Sequence, residues 1–492
     1  MTMQYRSFSL NLWGINIDLD INALILDSRK VSHGACFVAI KGHDLDGRQF
    51  IQAALAQGAS AILKDTEGAS EHGVVDYING VPVISFYGLN MQLSELADLF
   101  YCHPSTQLSL IGVTGTNGKS TITQIIANWL TLLDHKAGVM GTIGNGLFDQ
   151  LCEVENTTGS AFDIQHEIAR QVALGAELCA MEVSSHGLIQ GRVSKLDFDV
   201  ALFTNLTRDH LDYHGNMAAY ADAKKMLFNK SVPHKILNFD DDCGQSWAQQ
   251  WPTATRFSVQ QDLSLHSGNY LFCESVTFNA QGFRCRLKSS WGEGILQCSL
   301  IGEFNVSNVL AALACLLSLG YDLDALLAIA PQLTPVCGRM ELFKREKQAA
   351  CVVDYAHTPD ALEKVLKALR IHCDGKLWCI FGCGGDRDRG KRPLMAQVAE
   401  QFADFAVITD DNPRTESVNQ IVSDMQAGLS EPQQMKVVHE RREAIDWALT
   451  QSQPEDVILV AGKGHEDYQI IGHHKRHYSD RDTIKEMLDN ES

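Results

Sequence analysis

One segment constrains this chain more than any other. Residues 108–133 read as a buried strand, LSLIGV, a Gly/Thr loop, TGTNGKST, and a helix with Ile122, Ile125, Ile126, Trp129, Leu130 and Leu133 on one stripe. A strand that turns through glycines into a helix is a phosphate-binding arrangement. The backbone N–H groups of Gly115, Thr116, Asn117 and Gly118 can face phosphate oxygens, and the helix start adds a positive dipole end. Lys119 is placed for the β/γ-phosphates of ATP, and Ser120 or Thr121 for its Mg²⁺. The generic spacing is missed by one residue: Val113 stands where the first glycine is expected, and Gly112 precedes it.

The rest of the chain narrows the class. Its 492 residues make room for about three domains at roughly 150 residues each. With 45% hydrophobic and 21% charged residues, whole-chain disorder, collagen and coiled coil are excluded. The 41 Lys+Arg against 60 Asp+Glu leave a net charge of −19, so nucleic acid and anionic membranes are not expected partners. Fourteen cysteines are scattered, with no CxxC and no zinc spacing, and read as reduced thiols. MTMQYRSFSLNLWG lacks a basic stretch followed by an apolar run, so no signal peptide is expected. The longest near-apolar run, 309–321, is too short for a bilayer span of about 18–20 residues and reads as a buried helix. A cytoplasmic, monomeric protein acting on small molecules is expected.

Three α/β domains follow from the pattern. Residues 1–100 alternate short apolar runs with glycine turns and end at a polar linker, YCHPSTQ. Residues 101–335 hold the phosphate loop on a parallel sheet, with an antiparallel subsheet over YLFCESVTFNAQGFRCRLKSS and GILQCSL. Residues 336–492 alternate strands (ACVVDY, KLWCIFG, DFAVITD, DVILVAG) with helices, a doubly wound Rossmann-like domain.

Candidate chemistry sits at the C-terminal ends of strands. Glu182 follows LCAM and His210 comes after VALFTN, a carboxylate and an imidazole of the kind that ligates Mg²⁺ beside a triphosphate. In the last domain three loops leave one sheet edge: Gly384-Gly385-Asp386-Arg387, Asp411-Asn412-Pro413-Arg414 and Gly462-Lys463-Gly464-His465-Glu466. Arg387 and Arg414 suit carboxylates, and Asp411 and Glu466 suit ammonium groups, so the edge suits an amino-acid zwitterion. The first loop is not a dinucleotide fingerprint, because Arg387 occupies the third glycine position.

TGTNGKST resembles the loop of the Mur ligase superfamily. DSRKVSHGACFVAIKG, DGRQF, ENTTGS, MEVSSHGL, NLTRDHLDYHG, GEFNVSN, GRME, DYAHTPDAL, GCGGDRDRGKR, DDNPRTE and GKGHEDYQ extend the resemblance, in order, along nearly the whole chain. It implies an ATP-dependent amide ligase of peptidoglycan synthesis that adds meso-2,6-diaminopimelate to UDP-N-acetylmuramoyl-L-alanyl-D-glutamate through an acyl phosphate. By motif it implies uridine-nucleotide contacts at Leu26, Ser28, His43, Asp44 and Leu45, and muramoyl-dipeptide contacts at Asn156, Thr157, Thr158, Ser184, Gln190 and Arg192. ATP contacts are implied at Gly115 to Thr121, Asn305, Arg339 and Asp354, and diaminopimelate contacts at Arg387, Asp411, Asn412, Pro413, Arg414, Gly462 and Glu466. Lys119, Glu182, His210 and Lys224 are implied in catalysis. Lys224 is implied as N6-carboxylysine, a carbamate that joins Ser120, Glu182 and His210 on Mg²⁺. A lysine-adding or folylpolyglutamate-type ligase is the alternative within the family. A non-catalytic nucleotide binder is the alternative outside it, and the joint presence of these four residues speaks against that.

Overall fold

The computed structural model describes residues 5–42, 45–154, 156–279 and 282–490. It divides into two compact units, one running to Lys119 and including His135–Lys235, the other comprising Ser120–Asp134 and the chain from Ile236 onward.

The first unit opens with an antiparallel pair, Arg6–Ser9 and Asp18–Ile21. A five-stranded sheet follows in the order Ala23–Ile25, Ala35–Ala39, Ala61–Thr66, Val81–Tyr87, Val75–Ile78, parallel except for the last strand. Ala35–Ala39 is buried along its length, which is why ACFVA carries no alternation. Helix Leu89–Phe100 packs Leu96, Ala97 and Phe100 on this core. The polar stretch expected as a linker is a tight turn. Cys102 and His103 have φ of 61° and 52°, and Pro104–Gln107 is a 3₁₀ turn. Asp98 holds it through His103 Nδ1 at 2.7 Å and also accepts from Gln165 at 3.3 Å.

The same unit carries four parallel strands in the order Ala137–Gly141, Leu178–Glu182, Ser109–Thr114, Val200–Phe203. Because the three inner connections all leave the same edge, the phosphate loop, Val183–Ser184 and Thr204–His210 emerge together.

Helix Lys119–Leu132, which belongs to the second unit from Ser120 onward, buries the expected stripe as far as Leu130, while Leu133 lies beyond the helix end and is half-exposed. Trp129 donates to Leu326 O at 3.0 Å and Asn128 to Thr334 at 3.0 Å. The antiparallel subsheet forms as Tyr270–Asn279, Gly282–Ser289 and Gly292–Cys298. Helix Glu303–Ser318 is apolar on every side from Val309 to Leu317 and is buried on every side. Among the described residues no helix is long and apolar enough to cross a membrane.

The last sheet has the order Glu341–Phe343, Ala350–Asp354, Val457–Ala461, Leu377–Phe381, Phe405–Ile408, Lys436–Val437. Alternate strand residues feed two cores. Val352, Cys379 and Leu459 meet helices Pro359–Arg370, Lys391–Phe402 and Val418–Gln426. Val353, Ile380 and Val460 meet Arg441–Gln451 and Asp480–Asn490. This is the expected doubly wound arrangement, with helices on both faces. The hairpin Tyr468–Ile471/His474–His477 carries no strong periodic signal, and it and the helix Asp480–Asn490, which packs Ile484, Met487 and Leu488 on one stripe, emerge only in the structure.

Candidate functional site

The phosphate loop is built on a close approach. Gly115 has φ 150°, and a Cβ there would lie 1.8 Å from Thr204 Oγ1, so only glycine fits. The segment Thr204–Thr207 clasps the loop. Thr116 N–H donates to Asn205 O at 2.8 Å, Asn117 N–H to Asn205 Oδ1 at 3.0 Å, and Thr204 Oγ1 to Asn117 O at 2.6 Å. Two N–H groups expected to face phosphate are therefore engaged by Asn205. Gly118, at φ 89°, and the helix start beyond it keep the anion-binding geometry.

Two lysines converge on one oxygen. Lys119 Nζ donates to Gly115 O at 2.9 Å and Thr116 O at 2.9 Å, and Lys224 Nζ donates to Gly115 O at 2.7 Å. Lys224 is buried and lies 4.3 Å from the Tyr220 ring. Lys119 thus keeps a cation on the loop of an acidic protein, where an anionic ligand would meet it. Ser120 is buried and Thr121 half-buried at the start of the helix.

Glu182 ends its strand 2% exposed and accepts the Thr142 N–H at 2.7 Å and its hydroxyl at 3.4 Å. Thr142 also meets Thr157 Oγ1 at 3.0 Å. Thr158 is a brace: its hydroxyl donates to Glu182 O and accepts from Ser184 N–H, each at 3.0 Å. Arg192 donates to Thr158 O at 2.6 Å and to Gln190 Oε1 at 2.6 and 2.9 Å, and Ser184 caps helix Ser185–Ile189. Thr157, Thr158, Ser184, Gln190 and Arg192 thus form one polar patch beside Glu182, while Asn156 is exposed next to it. His210, at φ 53°, packs its ring 5.0 Å from His186 and 6.1 Å from Tyr220. Sequence reasoning missed Thr142, Asn205, His186 and Tyr213. His186 lies inside MEVSSHGL, and Asn205 and Tyr213, whose ring packs 4.1 Å from His186, lie inside NLTRDHLDYHG, but only the fold shows what they touch.

Among the described residues no three His, Cys, Asp or Glu side chains converge as a metal set. Glu182 is nevertheless a buried carboxylate with hydroxyl neighbours, and Mg²⁺ takes one or two carboxylates together with phosphates and waters. That donor set fits Mg²⁺. Lys224 as an ammonium does not.

The three loops of the last sheet are hydrogen-bonded together. Gly385 N–H donates to Asn412 O at 2.9 Å, and a Cβ on Gly385 would strike Pro413 O at 1.9 Å. Arg414, at φ 51°, donates from Nη1 to Gly385 O at 2.9 Å and Asn412 O at 3.4 Å. Its backbone is clamped by the hairpin, N–H to Ile470 O at 3.1 Å and O from Gly472 N–H at 2.7 Å. Among the described residues no carboxylate pairs with Arg414. Arg387 is exposed, and Pro413 and Gly462 are buried. Asp411 and Glu466 share a cation that the fold itself supplies. Lys463, from the same loop as Glu466, already faces both carboxylates, at 3.3 and 3.6 Å. Burial raises the Asp411 carboxyl, but Lys463 and Arg441 outweigh it and hold it below the usual range.

Other expected contacts are already engaged. Asn305 donates to Ile301 O at 2.8 Å and accepts from Asn308 at 2.9 Å. Asp354 accepts Met340 N–H and Ala356 N–H, each at 2.8 Å, and burial raises its carboxyl. Arg339 lies 4.5 Å over the Tyr355 ring. In the N-terminal region Leu26 packs against the core, Ser28 starts a 3₁₀ turn and Leu45 is 70% exposed. His43 and Asp44 lie outside the described residues.

Known proteins match along the whole chain. The models of the Mur ligase family catalytic domain, the Mur ligase middle domain and the Mur ligase glutamate ligase domain match residues 20–101, 113–316 and 338–464. A UDP-N-acetylmuramoyl-L-alanyl-D-glutamate--2,6-diaminopimelate ligase of Haemophilus influenzae is 52% identical over 97% of this chain and 98% of its own length. One of Vibrio cholerae is 53% identical over 96% and 94%. A solved structure of a ligase of that name, 35% identical, superposes with a TM-score of 0.69 over 99% of both chains. With its phosphate loop, its three matched domains and these full-length relatives, the chain belongs to the Mur ligase family.

Proposed function

We propose that this protein is the ATP-dependent ligase that joins meso-2,6-diaminopimelate to UDP-N-acetylmuramoyl-L-alanyl-D-glutamate in peptidoglycan precursor synthesis. The observation that carries the reading is the full-length likeness to relatives bearing that activity in their names. Arg414 supports the choice of amino acid, because its anchored guanidinium suits the second carboxylate that lysine lacks.

The D-Glu γ-carboxylate attacks the γ-phosphorus of ATP, and the bond to the bridging oxygen of ADP breaks. The amine of the incoming amino acid then attacks the acyl carbon, loses a proton, and inorganic phosphate leaves. The acyl phosphate replaces a poor leaving group with a good one. Lys119 offsets charge as phosphate transfers. The patch of Thr157, Ser184, Gln190 and Arg192 orients the dipeptide. Glu182 and His210 would hold Mg²⁺, which when bound would supply Lewis-acid neutralisation of the triphosphate. In this reading Lys224 carries a carbamate, formed when its amine adds CO₂ and releases a proton, which turns a cation into an oxygen donor. Three domains, 1–100, 101–335 and 336–492, carry the nucleotide-sugar, ATP and amino-acid functions. The protein works as a cytoplasmic monomer, and its free cysteines fit a reducing compartment.

The test is phosphate release from ATP with UDP-muramoyl-dipeptide and meso-diaminopimelate, lysine or glutamate. Release is expected to be much faster with diaminopimelate than with lysine or glutamate. Preference for lysine or glutamate would refute the assignment.

A further inference from the structure

The amino-acid loops contain a cation that the ligation chemistry above does not use. Lys463 has no exposed side-chain surface. Its Nζ donates to Tyr468 O at 2.7 Å and Asn412 Oδ1 at 3.2 Å, and lies 3.3 Å from Asp411 and 3.6 Å from Glu466. Asn412 closes the ring by donating from Nδ2 to Glu466 at 3.0 Å. Beneath it, Arg441, also wholly buried, bonds Asp480 at 2.8 Å and Ala461 O at 2.7 Å. A buried ammonium is costly unless paired, and loops can be tied by neutral groups. What Lys463 adds is charge, which cancels Asp411 beside Glu466.

We propose that Lys463 is the positioning residue of the amino-acid site: it fixes Glu466 against Asn412 and keeps that carboxylate ionised, so that it receives an ammonium group of the incoming diamino acid. The proposal deepens the ligase reading and rests on it. Glu466 is faced by Lys463 from its own loop, by Asp411 and Asn412 from the loop after Phe405–Ile408, and by Tyr355 from the loop after Ala350–Asp354. Burial pushes the Glu466 carboxyl up and Asp411 adds to this, while Lys463 and Asn412 pull it down, and the balance lies above the usual carboxylate range. Removing either charged neighbour therefore moves Glu466 in opposite directions.

The experiment measures phosphate release across about pH 5 to 9 for wild type, Lys463→Met, Asp411→Asn, Glu466→Gln and the Lys463→Met/Glu466→Gln double variant. Lys463→Met should raise KM for diaminopimelate about tenfold or more and leave KM for ATP within about twofold. It should move the acid limb of kcat/KM for diaminopimelate upward by roughly 1–3 pH units. Asp411→Asn should move that limb downward. With Glu466→Gln in place, Lys463→Met should cost little more. An unmoved limb in folded Lys463→Met, a common rise in KM for all three substrates, or a shift of the same sign in Lys463→Met and Asp411→Asn would overturn the proposal. If Lys463→Met does not fold, Asp411→Asn decides, and an unmoved or raised limb overturns it. Wild type that releases no phosphate with diaminopimelate overturns the ligase reading itself, and this shows before any substitution is made.

Discussion

Replacing Arg414 with alanine removes a guanidinium held at one nitrogen by two backbone carbonyls, at 2.9 and 3.4 Å, and paired with no carboxylate among the described residues. Truncating one partner of a hydrogen-bonded charge pair costs about 2–5 kcal/mol. Arg414 is half-buried, so the lower part of that range applies. About 2–3.5 kcal/mol corresponds to roughly 30- to 300-fold in kcat/KM for diaminopimelate. Lysine has only a methylene hydrogen where diaminopimelate carries its second carboxylate, so its slow use should change less than about threefold. The backbone needs its own control, because Arg414 sits at φ 51°. Alanine keeps that left-handed strain and glycine relieves it. If the guanidinium is what matters, Arg414→Ala and Arg414→Gly lose diaminopimelate use equally. Arg414→Lys should lose about tenfold, since it keeps the charge but not two parallel hydrogen bonds. The assay is phosphate release under saturating ATP and UDP-muramoyl-dipeptide. Equal losses for both amino acids, or full recovery in Arg414→Gly, would refute the reasoning.

Lys119→Ala should lower turnover by about 10²–10³-fold or more with an unchanged circular dichroism spectrum, because transition-state charge loses its cation; near-normal ligation would exclude the phosphate-loop role. Lys224→Ala should be nearly inactive and partly rescued by a short carboxylic acid, and mass mapping of active wild type should show the added CO₂. Asp480→Ala leaves the wholly buried Arg441 without its carboxylate and should destabilise the protein by about 3–5 kcal/mol, read as a fall in the urea midpoint. Burial lowers His465 to about 4, so the fold favours the neutral ring. Its contribution to stability is complete above about pH 6.5 and is lost as pH falls toward about 4. Wild type should lose about 2 kcal/mol more than His465→Gln between pH 7 and pH 5, and parallel losses in the two proteins would contradict this.

Much of the fold is legible in local pattern. The stripe Ile122 to Leu130 and the apolar runs of Ala350–Asp354, Leu377–Phe381 and Val457–Ala461 appear as helix and strands because each buries a periodic face. The loops after those strands share an edge because parallel strands all end on one side. The hairpin that clamps Arg414 is less legible. His474–His477 is exposed throughout, so burial imposes no pattern on it.

The kinds of chemistry available were thus determined by the sequence alone: a lysine at the end of a glycine loop, carboxylates and arginines at strand ends. Only the tertiary structure decided which groups are already engaged. Asn205 takes two N–H groups of a loop 88 residues earlier, and Lys463 neutralises Asp411 across 52 positions of chain. Hydrogen bonds and charge pairs act over a few ångströms of space, and no local periodicity records which distant polar group the fold brings within that range.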